Sequence, residues 1–180
     1  LLANQPAVFH ALAANEALDA RLRQWLSASR AQARAGVSTP ARAIDLMHLL
    51  DEMRLIKDAE EIATMKHSAQ IAADAHCRAM RVTKPGLFEY EVEAAILHEF
   101  NSRGAPAPAY GSIVAGGASA CVLHYRENDA KLKAGELLLI DAGCEYQGYA
   151  SDITRTFPVS GRFSGPQREL YEIVLAAQRA

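Results

Sequence analysis

The sequence has few cysteines, no long apolar run and no excess of charge of one sign. It contains three cysteines, and 19 Lys and Arg stand against 21 Asp and Glu for a formal net charge of −2. An odd number of cysteines without paired spacing argues against a disulfide framework and predicts reduced thiols in a cytoplasmic protein. The absence of about 18 consecutive apolar residues excludes a membrane-spanning helix. The balanced charge argues against nucleic-acid binding as the main function.

The apolar residues that are present recur with helical spacing at both ends of the chain and with strand spacing between them. Half of the residues are apolar and 22% are charged, as in an ordinary globular domain. Periodicity predicts helices at 15–35, 58–80, 87–102 and from 164 onward, and strands at 112–115, 121–125 and in two runs within 137–157. The connections between the strands are too short for parallel crossovers. The sequence therefore predicts an α+β fold with antiparallel strands and flanking helices.

The predicted helix at 87–102 carries several acidic residues and one histidine that could be mistaken for metal ligands. These are Glu89, Glu91, Glu93, His98 and Glu99. Their scattered spacing is typical of a solvent-exposed helix face. We therefore interpret all five as surface residues.

Two aspartates, Asp141 and Asp152, lie in the segment 137–157, one on each predicted strand of a hairpin. A turn centred on Tyr146 and Gln147 would place the two aspartates directly opposite each other. Like charges at such a position are destabilising. Asp141 also ends an apolar run that is typical of a strand buried on both faces. A carboxylate in apolar surroundings takes up a proton, pairs with a cation or binds a metal.

A metal is one of two explanations that the residues leave open for this pair. Arg155 is the nearest cation, but its odd spacing from Asp152 places it on the other face of the strand. Hard oxygen ligands at this separation suit one or two divalent ions such as Mn²⁺ or Mg²⁺. The alternative is that one aspartate caps a turn and the other is solvated at a strand end.

The order of residues around the aspartates resembles a known family. The motifs are His124-Tyr125, Ile140-Asp141-Ala142-Gly143 and the run from Ser151 to Phe157, within a similarity that extends from about Glu52 to Tyr171. They resemble the creatinase and aminopeptidase family of metallopeptidases, the pita-bread enzymes, and within it the bacterial Xaa-Pro aminopeptidases. The resemblance implies that residues 51–180 form the first half of a pita-bread catalytic domain. Residues 1–50 would be the carboxy-terminal end of an upstream amino-terminal domain.

The resemblance also implies roles for particular residues. Family members hold two divalent metal ions, expected here to be Mn²⁺, with two aspartates, one histidine and two glutamates. Asp141 and Asp152 match the aspartates, and the other three ligands would lie beyond the present sequence. His124 matches a catalytic histidine that faces the substrate. Tyr110 and Thr154 are expected to support the metal-binding aspartates.

The implied activity is metal-assisted hydrolysis of the bond between an amino-terminal residue and a following proline. The substrates would be peptides with proline at the second position, and the full-length protein would form a homo-oligomer. These 180 residues alone would be inactive. The residues leave two alternatives open: a prolidase that accepts only dipeptides, and a non-catalytic binding module of the same fold.

Overall fold

The computed structural model describes residues 2–180, which form two compact units, one reaching to Asp58 and the other comprising Ala59–Ala180. None of the helices in this part of the chain is both long and apolar enough to cross a membrane. Cys77, Cys121 and Cys144 are free thiols. That the first 50 residues end an upstream domain stays a prediction.

The first unit is a small βαβ arrangement followed by a helix. Its elements are β1 (Ala7–His10), α1 (Glu16–Ala31), β2 (Arg42–Asp45) and α2 (Leu46–Leu55). The predicted start of the first helix is confirmed, since Asn15 Oδ1 accepts a hydrogen bond from Leu18 N at 3.0 Å. The helix ends at Ala31, earlier than predicted, and a short 3₁₀ turn then ends at Gly36, with φ +84°. Strands β1 and β2 pair in parallel, which the sequence analysis missed because strands of four residues show little periodicity.

The second unit contains three helices and six strands. The elements are α3 (Ala59–Val82), α4 (Glu89–Ser102), β3 (Ala107–Pro108), β4 (Ile113–Gly116), β5 (Leu137–Ala142), β6 (Cys144–Tyr146), β7 (Tyr149–Ala150), β8 (Ile153–Pro158) and α5 (Gly165–Arg179). The strands form two three-stranded antiparallel sheets with the orders β4-β5-β8 and β3-β6-β7. The predicted α+β class is confirmed.

Helices α3 and α4 pack on the sheets and on each other to form the core of this unit. The core includes Ile71, Ala75, Val92, Ile96, Phe100, Leu138 and Ile140. His76 of α3 is 2% exposed, and its Nε2 donates to the carbonyl oxygen of Ala142 at 3.1 Å. His67 lies edge-on against Tyr146 with 4.6 Å between ring centroids. Both histidines are therefore packing residues.

The hairpin that carries the two aspartates differs in register from the prediction. Its turn is formed by Gln147 and Gly148, with φ +50° and +84°, one residue later than expected. Two consecutive left-handed residues suit the twist of a two-residue hairpin, and glycine adopts that conformation readily. Asp141 consequently pairs with Thr154, and Asp152 lies just before β8. The expectation that the two aspartates are directly opposed is wrong.

Two further expectations about strands are corrected by the structure. Strand β5 is not buried on both faces, because Leu138, Ile140 and Ala142 are buried while the alternate residues are partly exposed. Residues 121–125 are not a strand: a 3₁₀ turn at Gly117–Cys121 is followed by irregular chain, and His124 has φ +56°. Cys121, Val122 and Leu123 are exposed, and only Tyr125 in that run is buried.

Burial of His76 predicts a loss of stability on acidification. Burial lowers the pKa of His76 below 6.5, partly opposed by the hydrogen bond to Ala142. The folded state therefore binds fewer protons than the unfolded chain below pH 6.5, so the stabilisation is complete above that pH and is lost as the pH falls through the folded-state pKa. The free energy of unfolding should fall with a slope of at most about 1.4 kcal/mol per pH unit from this group.

The check is denaturant unfolding between pH 8 and pH 5, the range in which an ordinary histidine titrates. We expect His76→Gln to reduce the slope of the free energy of unfolding against pH. The control is His98→Gln, which replaces an exposed histidine on α4 and should leave that slope unchanged. Equal slopes in all three proteins would contradict the prediction.

Candidate metal centre

Asp141 and Asp152 converge on one phenol although they do not pair in the sheet. Tyr110, between β3 and β4, donates towards Asp141 Oδ1 at 2.6 Å and towards Asp152 Oδ1 at 3.0 Å. Asp141 is partly exposed near the end of β5, and Asp152 is exposed. The chain segments that carry the two aspartates come close together at Gly143, where a Cβ would lie 1.7 Å from the carbonyl oxygen of Ser151. The structure thus brings these three predicted site residues together.

The two carboxylates carry more negative charge than their surroundings offset. A phenol has one proton, so it cannot donate fully to both aspartates at once. None of the ion pairs among residues 2–180 involves Asp141 or Asp152. Two adjacent oxygen ligands with uncompensated charge fit a hard divalent cation. In the described part of the chain no third His, Cys, Asp or Glu joins them, so the pair supplies only part of a coordination shell.

Tyr110 is held in its protonated form. Burial, followed by the hydrogen bonds to Asp141 and Asp152 and their charges, raises the pKa of Tyr110 far above its usual value. The phenol therefore remains a donor at neutral pH. A protonated phenol between two carboxylates fixes where their oxygens point and can orient them for an ion.

Thr154 and His124 line an open cleft beside Asp141. The cleft has a volume of about 310 Å³, and its lining also includes Ile113, Ala115, Cys121, Val122, Leu123 and Leu139. Thr154 is the direct partner of Asp141 in the β5–β8 ladder, so its side chain emerges on the same face. The ring of His124 is exposed and makes no hydrogen bond within residues 2–180. It is available to a molecule entering the cleft.

The prediction that all five candidate residues on α4 lie on the surface is wrong for Glu89. Its side chain is 0% exposed and accepts hydrogen bonds from Gly116 N, Tyr125 Oη and Ala130 N. A usable signal was present in the sequence, since Glu89 is three and seven residues before the buried Val92 and Ile96 and so shares their helix face.

Asn128 is a second residue that sequence reasoning missed. Its side chain accepts from Val114 N at 2.9 Å and donates to the carbonyl oxygen of Ser112 at 2.9 Å and to Glu93 Oε2 at 3.0 Å. It adopts φ +48°, a conformation that asparagine tolerates better than most residues. Asn128 thereby joins the chain after His124 to the strand that borders the cleft.

Comparisons with known proteins identify a family. The model of the metallopeptidase family M24 matches residues 63–180. A Haemophilus influenzae protein named Xaa-Pro aminopeptidase is 59% identical over 136 residues, covering 76% of this chain and 32% of that protein. An Escherichia coli protein of the same name is 47% identical over 175 residues, covering 97% of this chain and 40% of that protein.

The fold of a solved relative agrees with the present structure. Aminopeptidase PepP of Pseudomonas aeruginosa superposes with a TM-score of 0.95 at 52% identity, over 99% of this chain and 40% of that chain. The predicted fold, the first part of a pita-bread fold, is confirmed. The chain spans between 32% and 40% of the length of these relatives.

Removing the phenol hydroxyl should weaken binding of a divalent ion at the aspartates. We expect Tyr110→Phe to lower Mn²⁺ affinity by about 10- to 100-fold, since groups that orient metal ligands have effects of that size. Titration calorimetry on the whole protein measures this directly. Tyr90→Phe, which changes a half-exposed tyrosine on α4, should bind Mn²⁺ like the unaltered protein. Unchanged affinity in Tyr110→Phe would contradict the prediction.

Proposed function

Since this chain belongs to the metallopeptidase family M24, we propose that the whole protein containing it is a metal-dependent aminopeptidase that acts before proline. It would hydrolyse the bond between an amino-terminal residue and a following proline. The observation that carries the proposal is the convergence of Asp141 and Asp152 on Tyr110 beside a cleft lined by His124. The names of the two bacterial relatives supply the substrate class.

Asp141 and Asp152 are proposed to hold two divalent ions, expected to be Mn²⁺, with Asp152 between both. When bound, such ions would lower the pKa of a water molecule and polarise the peptide carbonyl group. The support for this is the shared position and excess charge of the carboxylates. One histidine and two glutamates from elsewhere in the whole protein would complete the coordination shell, and one of those glutamates would act as the base.

His124 is proposed to hydrogen-bond the oxygen of the scissile carbonyl group. Negative charge develops on this oxygen as the bond is attacked, and a donor already in place stabilises it. The exposed ring in the cleft supports this role. Tyr110 would keep the two carboxylates in place, and the Thr154 hydroxyl would support Asp141 from the paired strand. The substrates would be peptides with proline at the second position. The whole protein would act in the cytoplasm as a homo-oligomer.

Replacing the bridging aspartate should abolish turnover. Asp152→Asn keeps the shape of the side chain and removes its charge, so the ions would lose a shared ligand. We expect kcat for an Xaa-Pro peptide to fall by at least about 1,000-fold, comparable to losing a main electrostatic group of an active site.

The assay needs a control for charge and two kinds of substrate. Asp51→Asn changes an exposed aspartate on α2 and should leave kcat unchanged. Retained activity in Asp152→Asn would show that the bridge is misassigned. Cleavage of dipeptides only would favour a prolidase. No metal binding and no hydrolysis by the whole protein would favour the binding module.

The 180 residues by themselves should lack peptidase activity. With two of five expected ligands they should bind Mn²⁺ weakly, because affinity depends on the number of charged ligands. The measurement is hydrolysis of an Xaa-Pro peptide by the purified chain with added Mn²⁺, compared with the whole protein. Measurable turnover by the purified chain would refute the proposed ligand count.

A further inference from the structure

The loop of residues 117–129, here called the His124 loop, has little packing of its own. Val122, Leu123 and His124 are all exposed, Leu123 to 86%. Within the loop only Tyr125 and Asn128 are buried. Tyr125 is the neighbour of His124 in the chain, so the contacts that fix Tyr125 act most directly on the position of His124.

One buried carboxylate holds the His124 loop at both ends and in the middle. Glu89 Oε1 accepts from Gly116 N at 2.7 Å, and Gly116 directly precedes the loop. Glu89 Oε2 accepts from Tyr125 Oη at 2.8 Å and from Ala130 N at 2.9 Å, and Ala130 directly follows the loop. The backbone N–H of Glu89 also donates to the Ala130 carbonyl oxygen at 3.0 Å.

The chemistry of these contacts requires a carboxylate. All three partners of the Glu89 side chain are donors, and an ionised carboxylate is the side chain that accepts at both oxygens without needing an acceptor itself. Hydrogen bonds to an ionised group are about twice as strong as neutral ones. Glu89 is also the first residue of α4, where the helix dipole stabilises negative charge. A Cβ at position 116 would lie 2.6 Å from Leu132 Cδ2, so a larger residue there would force this buried leucine to shift.

We propose that Glu89 is a positioning residue that holds His124 over the cleft bordered by Asp141. It acts through Tyr125 and through the two ends of the His124 loop and touches neither substrate nor metal. Tyr125 remains a donor at neutral pH because burial, and then the hydrogen bond to Glu89, raise its pKa. The inference rests on the proposed function, because the position of His124 affects turnover only if His124 acts on the substrate.

Two substitutions test the contacts separately. Glu89→Gln places an amide nitrogen against at least one of the three donors, and Tyr125→Phe removes a single hydrogen bond. Each should lower kcat for an Xaa-Pro peptide by about 10- to 100-fold, the effect of a displaced catalytic group. KM should change by less than about threefold, because substrate binding is not altered directly.

The matched control is Glu91→Gln. Glu91 is exposed on the same turn of α4, and within residues 2–180 its side chain accepts only from Phe88 N, at 2.8 Å. The control removes one negative charge from the start of the helix without touching the His124 loop, so its kcat should remain that of the unaltered protein. If Glu89→Gln does not fold, Tyr125→Phe carries the test.

A double substitution separates positioning from general stability. In a His124→Ala background, Tyr125→Phe should cause no further loss of kcat/KM, because it acts through a side chain that is no longer present. A purely structural role would give the same fold-loss in both backgrounds. That second result would overturn the inference.

Hydrogen exchange of the whole protein without substrate gives a readout that does not depend on activity. Peptides from residues 117–129 should exchange faster in Glu89→Gln and Tyr125→Phe than in the unaltered protein or Glu91→Gln. If the whole protein cleaves no Xaa-Pro peptide, the proposed function fails while this measurement still tests Glu89. Exchange that matches the unaltered protein in both variants would overturn the inference.

Discussion

Strand β5 sets the position of the candidate site because it is hydrogen-bonded along both edges. It pairs with β4 on one side and β8 on the other. Its alternate residues Leu138, Ile140 and Ala142 are buried in the core, so a shift by one residue would expose them all. The register of β5 is therefore fixed, and Asp141 must emerge on the opposite, half-exposed face beside Thr154.

The convergence of the aspartates could be anticipated from the sequence, but its geometry could not. Two strand-like runs with one aspartate each predict a hairpin, and this is what the chain forms. The pairing, however, depends on which two residues adopt left-handed conformations in the turn. Gln147 and Gly148 do so, and the shift of one residue moves the partner of Asp141 by two positions, from Asp152 to Thr154. Local propensity does not resolve such a shift.

Long helices were predicted more accurately than strands for a physical reason, while the shorter helix α2, Leu46–Leu55, was not predicted. A helix of the length of α3 repeats its apolar pattern several times, whereas β1 and β2 have only four residues each. The run from Cys121 to Tyr125 shows the opposite error. Its apolar residues Val122 and Leu123 have the pattern of a strand but are exposed. The segment is held instead by the hydrogen bond from Tyr125 to Glu89, which is distant in sequence. No local pattern contains that contact.

Glu89 and the two aspartates near the cleft differ in the hydrogen-bond partners that the chain gives them. Glu89 is fully buried, yet three donors within the chain satisfy its oxygens. Asp141 and Asp152 share a single phenol proton and have no ion-pair partner among residues 2–180. A buried carboxylate whose donors are supplied within the chain has no need of a cation. Burial alone would have pointed to Glu89 as a ligand, whereas the count of donors supports the proposed role of Asp141 and Asp152.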